Sequence, residues 1–252
     1  MLGACSYALD CVEAELVHVT NKHAKRVAYM SVCVAEQMGI QEDSLQDLTA
    51  CALLHDNALT QYIQEELHND IAGASSAEKP LQLGVHCSLG ERNMQELPFH
   101  TDVKNVILYH HENADGSGPF GKKWTEVPLF ARIIHLCDLL DLTCGTGTFT
   151  SDTWKRANDF LIKIKGSVVD EECIEAFFQA FSEGHFIPLE EINLETCLWS
   201  KVSRTKQDLS FEQIKSIAKF FARIVDYKSP FTSTHSLSLI HISEPTRLLS
   251  IS

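Results

Sequence analysis

The stretch Leu53–Ile63, LLHDNALTQYI, places an adjacent histidine and aspartate, His55 and Asp56, inside a segment that otherwise has the apolar pattern of a helix. Burying a carboxylate costs several kcal/mol, comparable with a large part of a domain's stability, unless an opposite charge or a metal compensates it. The pair must therefore face either water or something positively charged.

The composition of the whole chain is that of an ordinary globular protein, with 252 residues, 44% apolar and 22% charged. No apolar run approaches the roughly 18 residues of a membrane span, and the acidic N-terminus lacks a secretory signal. The formal net charge of −13 argues against a nucleic-acid polymer as partner. Nine scattered cysteines without a CxxC motif favour reduced thiols and a cytoplasmic location.

Apolar residues recur at helical spacing along the chain, and this periodicity predicts an all-α fold. Loops are predicted at 69–79 and 113–128, where glycine, proline and small polar residues concentrate. The predicted helices cover 22–38, a segment from 43 past His55, 80–96, a segment from Thr101 or Asp102 to His110, 128–142, 152–165, 169–182 and 210–227.

Several of these helices carry a residue type that binds metals. His110 continues the apolar stripe of its predicted helix, as Asp138 does in the next one, so both should point inward. Imidazole and carboxylate groups suit two first-row metals such as Fe, Mn, Ni or Co, and a pair of ions roughly 3.5–4 Å apart can clamp a phosphoryl group. The set that would meet at a buried binuclear site is His23, His55, Asp56, His86, His110, His111 and Asp138. The isolated histidines, among them His100 and His135, are interpreted as ordinary core or surface side chains.

The ordered motifs resemble the HD-GYP branch of the HD-domain metal-dependent phosphohydrolases, over about residues 10–200. The similarity rests on LLHD at 53–56, YHHENADGSGPFG at 109–121 and ARIIHLCDLLD at 131–141, together with His23 and His86. The resemblance implies a helical bundle with two divalent ions, commonly iron or manganese, held by the seven residues above. It also implies hydrolysis of cyclic di-GMP by a metal-bridging hydroxide, with Asp56 and His55 at the catalytic centre.

The chain departs from this family where a phosphate would be held. Leu59 replaces the family's lysine after the HD pair, and Pro119-Phe120-Gly121 stands where the GYP signature is expected. The candidate substrate contacts are Gly116 and Gly118 in the loop and Arg132, although Arg132 could instead pair with a local carboxylate. Val19 replaces an acidic residue that adds a third metal in some members, so two ions are expected.

The sequence is predicted to consist of three segments. Residues 1–205 form the HD-GYP-like domain, and residues 206–235 resemble the first helix of a second, truncated HD-like domain, with His235 in the place of His23. Residues 236–252 resemble a non-native read-through tail. A homodimer or a tandem second domain is therefore a candidate partner, beside a cyclic dinucleotide or another phosphoester.

Three functions stay open at this point. The first is a phosphodiesterase of cyclic di-GMP or a related phosphohydrolase. The second is a catalytically degenerate regulatory module that binds metal or nucleotide without turnover, which Leu59 and the missing tyrosine favour. The third is a structural helical dimerisation domain whose histidines are incidental.

Overall fold

A computed structural model describes residues 22–41, 43–63, 83–144, 151–182, 193–202 and 208–228. These residues contain no β-strand, only an isolated bridge between Lys165 and Val169, which confirms the predicted all-α class. No helix among them is long and apolar enough to cross a bilayer. The α-helices are α1 (His23–Gln37), α2 (Asp43–Leu53), α3 (Leu83–Met94), α4 (Leu129–Cys144), α5 (Ser151–Ile164), α6 (Glu171–Ala180), α7 (Leu194–Lys201) and α8 (Phe211–Lys228).

Helix α1 is the centre of the bundle. Its residues are buried continuously from His23 to Ala35, because α2, α4, α6 and α7 all pack against it. A helix enclosed in this way must satisfy its charged side chains internally. Arg26 does so through Asp141 of α4, and Lys25 lies 3.8 Å from a carboxylate oxygen of Glu195 on α7.

The predicted helix from residue 101 to His110 is wrong, because this segment forms successive turns. Carboxylates on two other helices accept hydrogen bonds from its backbone N–H groups. Asp47 accepts hydrogen bonds from the N–H and hydroxyl of Thr101, at 2.6 and 2.7 Å. Glu91 accepts from the N–H groups of Asn105 and Leu108, and Asn105 has a left-handed φ of 64°. These contacts hold the segment in turns instead of a continuous helix.

One helix boundary and one whole helix also differ from the prediction. Helix α2 ends at Leu53, so His55 and Asp56 lie in turns at 54–58 rather than within the helix. Helix α7 had no predicted counterpart. Its amphipathic signal is weak over only eight residues, and its place in the bundle depends on the burial of Leu194 and Leu198.

Helix α8 packs against the preceding domain. Phe220 and Ile224 belong to the same apolar core as α1 and α4, and Arg223 lies 3.1 Å from a carboxylate oxygen of Glu96. The division at 205/206 and the assignment to a second domain stay predictions. His235 and the proposed read-through tail at 236–252 lie outside the described residues.

Candidate metal centre

The turn after α2 positions the first pair of candidate ligands. The Nδ1–H of His55 donates to the carbonyl of Ala52 at 2.9 Å, so its Nε2 carries the lone pair and points into the bundle. The amide of Asn57 donates to the carbonyls of Leu54 and Gly90, at 2.9 and 3.3 Å. Asn57 therefore fastens the turn to α3, the helix that carries His86.

The turns at 103–111 present the second histidine pair in a similar way. His110 donates from Nδ1 to the carbonyl of Ile107 at 2.7 Å, which again leaves Nε2 as the inward lone pair. Glu91 braces these turns from α3, as described above, and the rings of His110 and His111 lie 4.0 Å apart between centroids. Helix α3 thus carries His86 and also fixes the segment that carries its neighbours.

Asp56 is the meeting point of three histidines. Its Oδ1 lies 3.2 Å from Nε2 of His86 and 3.5 Å from Nε2 of His110. Its Oδ2 lies 3.4 Å from Nε2 of His55. The two oxygens therefore face different imidazoles, an arrangement that suits a carboxylate shared between two cations.

Asp138 on α4 is the second meeting point. Its Oδ1 lies 3.2 Å from Nε2 of His23 and 3.8 Å from Nε2 of His55, and its Oδ2 lies 3.8 Å from Nδ1 of His111. His55 is thus common to both carboxylates. The structure brings all seven residues of the predicted set together, and their roles as ligands stay predictions.

The atoms at this centre fit a divalent cation. Four of them are buried without a hydrogen-bond partner among the described residues: His55 Nε2, Asp56 Oδ1, His110 Nε2 and Asp138 Oδ1. Buried polar atoms without partners are costly, and lone pairs that converge from several elements are what a cation requires. The side chains of Asp56 and His111 keep 15% and 12% of their surface exposed, so the centre opens to solvent on their side.

The electrostatics of the cluster keep both carboxylates ionised. Burial raises the pKa of Asp56, but His55, His110 and His86 outweigh it and hold that pKa well below its usual range. Burial also raises the pKa of Asp138, but His23 and His55 outweigh burial, so this pKa too lies below its usual range. Burial lowers the pKa of His55, and burial together with His110 lowers that of His111. Burial also lowers the pKa values of His23, His86 and His110, but the neighbouring carboxylates and Cys87 outweigh it and raise them. A cation bound between these rings and the ionised carboxylates would take the place of those protons.

His23 is oriented by a carboxylate that sequence reasoning missed. Its Nδ1–H donates to Asp141 Oδ2 at 2.7 Å, and Arg26 donates to both oxygens of Asp141 at 2.7 and 2.8 Å. Such carboxylate partners fix the ring and tautomer of metal-binding histidines. The signal was present in the sequence, since Asp141 follows Asp138 by three residues and so lies on the same face of α4.

Cys87 was also missed. A ligand atom from each of His86, Cys87, His110 and His111 lies within 4.8 Å of the others, and His23, His55 and Asp56 form a second such group. The cysteine directly follows His86, a position at which spacing alone predicts divergence rather than convergence.

The loop after His111 is held by Glu112. Its carboxylate accepts hydrogen bonds from the N–H groups of Phe120, at 2.6 Å, and Lys122. Gly116 needs its left-handed φ of 85°, and a Cβ on Gly118 would lie 2.7 Å from the Cα of Glu112. Both glycines therefore have a structural reason to be present, and their predicted substrate contacts stay untested.

Arg132 and His135 lie behind this loop. Nη1 of Arg132 donates a hydrogen bond to Oδ2 of Asp170 at 3.2 Å, and the guanidinium of Arg132 lies 5.5 Å from the ring centre of Trp124. This is the local pairing that the sequence left open. Nε2 of His135 lies 3.3 Å from the amide oxygen of Asn113, and its ring is 6.4 Å from that of His111. His135 is therefore closer to the centre than its interpretation as an ordinary histidine implied.

Residues 10–173 match the HD domain family, and the chain belongs to that family. The expected membership of its HD-GYP branch is confirmed by this match together with the relatives of the chain. HD domains are metal-dependent, and the chain supplies a His/Asp cluster able to hold metal.

The relatives are bacterial cyclic-dinucleotide enzymes. A 3′3′-cGAMP-specific phosphodiesterase 1 of Vibrio cholerae serotype O1 is 24% identical, over 94% of this chain and 54% of its own length. A cyclic di-GMP phosphodiesterase of Thermotoga maritima is 26% identical, over 65% of this chain and 45% of its own length. The chain thus spans about half the length of these curated relatives. In fold it resembles the crystal structure of a cyclic GMP-AMP specific phosphodiesterase of V. cholerae, with a TM-score of 0.73 at 21% identity, covering 93% of this chain and 61% of that chain.

Proposed function

We propose that the domain is a metal-dependent phosphodiesterase that hydrolyses a cyclic dinucleotide, cyclic di-GMP in the first instance. The observation that carries this proposal is the convergence of five imidazoles on the carboxylates of Asp56 and Asp138. The named activities of its relatives supply the substrate class.

We assign two divalent ions, iron or manganese, to this centre. His86 and His110 would hold one ion, His23 would hold the other, Asp56 and Asp138 lie between the two groups, and His55 and His111 complete the set. When bound, such ions activate water and stabilise the charge that develops on a phosphoryl group during in-line attack.

The chain's own residues prepare this reaction. Ala52 and Ile107 fix the tautomers of His55 and His110, so that Nε2 presents a lone pair inward. The exposed edge at Asp56 and His111 gives a phosphodiester its route to the centre. The loop with Gly116 and Gly118 starts two residues after His111, which supports a role in covering the substrate. The ion pair between Arg132 and Asp170 supports a positioning role for Arg132 instead of substrate contact.

The test is hydrolysis of cyclic di-GMP and 3′3′-cGAMP with Mn²⁺ or Fe²⁺, compared among the unmodified chain, His55→Ala and Asp56→Ala. His100→Ala is the matched control, because His100 is exposed and the cavity that it lines contains none of the seven cluster residues. We expect turnover that both site substitutions abolish and the control retains. A rate unchanged by His55→Ala or Asp56→Ala would contradict the assigned centre.

A second candidate, a regulatory module without turnover, is favoured by Leu59. This side chain is buried next to the HD pair, and its N–H bonds to the carbonyl of Asp56 at 3.0 Å. The position where the family has a lysine therefore offers a phosphate no charge. Calorimetry with cyclic di-GMP, run beside product analysis, distinguishes the two candidates, since the regulatory module binds nucleotide and forms no product.

The setting of the domain is also proposed. The described cysteines are all free, and most are buried, which supports a reducing cytoplasm. A homodimer or a tandem second domain stays our proposal for its macromolecular partner. Sedimentation of the chain at several concentrations tests the homodimer.

A further inference from the structure

Cys87 lies among the histidines of the metal centre without a part in the proposed reaction. It is fully buried on α3, directly after His86. Its Sγ is 3.7 Å from Nε2 of His86, and 3.7 Å from Nδ1 of His110, the nitrogen whose proton is donated to Ile107. Among the cysteines that the structure describes, Cys87 is the one grouped with histidines at possible metal-ligand distances.

The spacing of these atoms fits a shared cation. Zinc binds thiolate sulfur at about 2.3 Å and imidazole nitrogen at about 2.1 Å, so a tetrahedral ion would separate the two donors by roughly 3.6 Å. The observed 3.7 Å between Cys87 Sγ and His86 Nε2 agrees with this value. The same Nε2 lies 3.2 Å from Asp56 Oδ1, so this nitrogen has both a sulfur and an oxygen donor as neighbours.

Unpartnered atoms provide an independent indication of a ligand there. His110 is completely buried, and its Nε2, 3.5 Å from Asp56 Oδ1, has no hydrogen-bond partner among the described residues. Asp56 Oδ1 also has none. A site at which a buried imidazole nitrogen and a carboxylate oxygen both lack a partner needs a cation to satisfy them.

We propose that Cys87 donates its sulfur to the ion on the His86 side, which gives this half of the centre a mixed nitrogen, oxygen and sulfur donor set. The proposal rests on the metal centre of the proposed function. Thiolate ligands favour softer ions. This half of the centre therefore prefers Zn²⁺, Co²⁺ and Fe²⁺ to Mn²⁺, whereas the half formed by His23 and Asp138 has nitrogen and oxygen donors.

Cobalt spectroscopy of the full chain tests the sulfur bond directly. The unmodified chain loaded with Co²⁺ should have visible d–d bands and an additional thiolate-to-cobalt charge-transfer band in the near ultraviolet. Cys87→Ser should lose the charge-transfer band, keep d–d absorption, and show a roughly tenfold or larger fall in its preference for Zn²⁺ over Mn²⁺. Cys33→Ser is the matched control, because Cys33 is a buried cysteine ten residues after His23, about 15 Å further along α1.

The outcomes separate this proposal from the proposed function. Visible d–d bands without a charge-transfer band in the unmodified chain would overturn the sulfur bond and leave the histidine and aspartate centre standing. An absence of cobalt binding would overturn both. The absence of the band is decisive without any variant, so a Cys87→Ser chain that fails to fold would not weaken that outcome. Loss of the charge-transfer band in Cys33→Ser would show that the bound sulfur belongs to Cys33, and would overturn the proposal.

Discussion

The histidine and aspartate cluster and the loop that follows it, residues 113–126, differ sharply in how far they follow their family. The cluster keeps every expected ligand type, and its five imidazoles converge on the carboxylates of Asp56 and Asp138. The loop lacks the signature tyrosine and is held by Glu112, by its glycines and by backbone hydrogen bonds to residues 167–168. The difference indicates that metal binding is the better preserved property and that the substrate is the more open question.

Removing a cluster histidine should have the largest effect. We expect His110→Ala to lower turnover at least about 100-fold, because loss of one group that stabilises charge at a reaction centre commonly costs 10²–10³. Metal content measured by mass spectrometry should fall with it. Equal losses in His100→Ala would show that the effect does not arise from the cluster.

The next effect concerns the carboxylate behind His23. Asp141→Asn should weaken metal binding by about 10–100-fold, as expected when the partner that orients a ligand histidine is altered. Metal titration with a competing chelator measures the change. Asp152→Asn is the control, because Asp152 is an exposed carboxylate paired with Arg156 on α5. An unaltered metal affinity in Asp141→Asn would show that Asp141 does not contribute to metal binding.

Acid should weaken the fold through the same carboxylate. Burial raises the pKa of Asp141, but His23 and Arg26 outweigh burial and lower it to about 2. The folded pKa is thus below the unfolded value of about 4, so the stabilisation is present above pH 4 and is lost as pH falls towards 2. It amounts to roughly 2 kcal/mol.

Urea unfolding of the chain in chelator, from pH 5 to pH 2, measures that stabilisation. The difference in unfolding free energy between the unmodified chain and Asp141→Asn should shrink as pH falls. A difference that is constant over this range would mean that Asp141 is not held ionised by its neighbours.

A substitution in the loop at 113–126 should have the smallest effect on the metal centre. Gly118→Ala would place a Cβ 2.7 Å from the Cα of Glu112, so the loop must shift, at a cost of about 1–3 kcal/mol. We expect KM for the cyclic dinucleotide to rise several-fold while metal content stays constant. Ser117→Ala, an exposed neighbour in the same loop, serves as the control. Lost metal in Gly118→Ala would mean that the loop and the cluster are not separable.

The sequence was sufficient to predict the all-α class and the seven converging residues, because apolar periodicity and ordered motifs report which side chains face the interior. The sequence was not sufficient where the conformation of one segment depends on side chains of another. The turns at 101–111 depend on Glu91 and Asp47, which belong to other helices. The role of Cys87 depends on where α3 places it against His110, and no local pattern encodes that distance.

The most direct test is the number of metal ions bound to the purified chain after metal-replete expression, compared with Asp56→Asn. The account predicts two equivalents per chain and a marked loss in the variant, because Asp56 contacts histidines on both sides of the centre. Fewer than one equivalent in the unmodified chain would contradict it, and would favour a helical module whose histidines bind no metal.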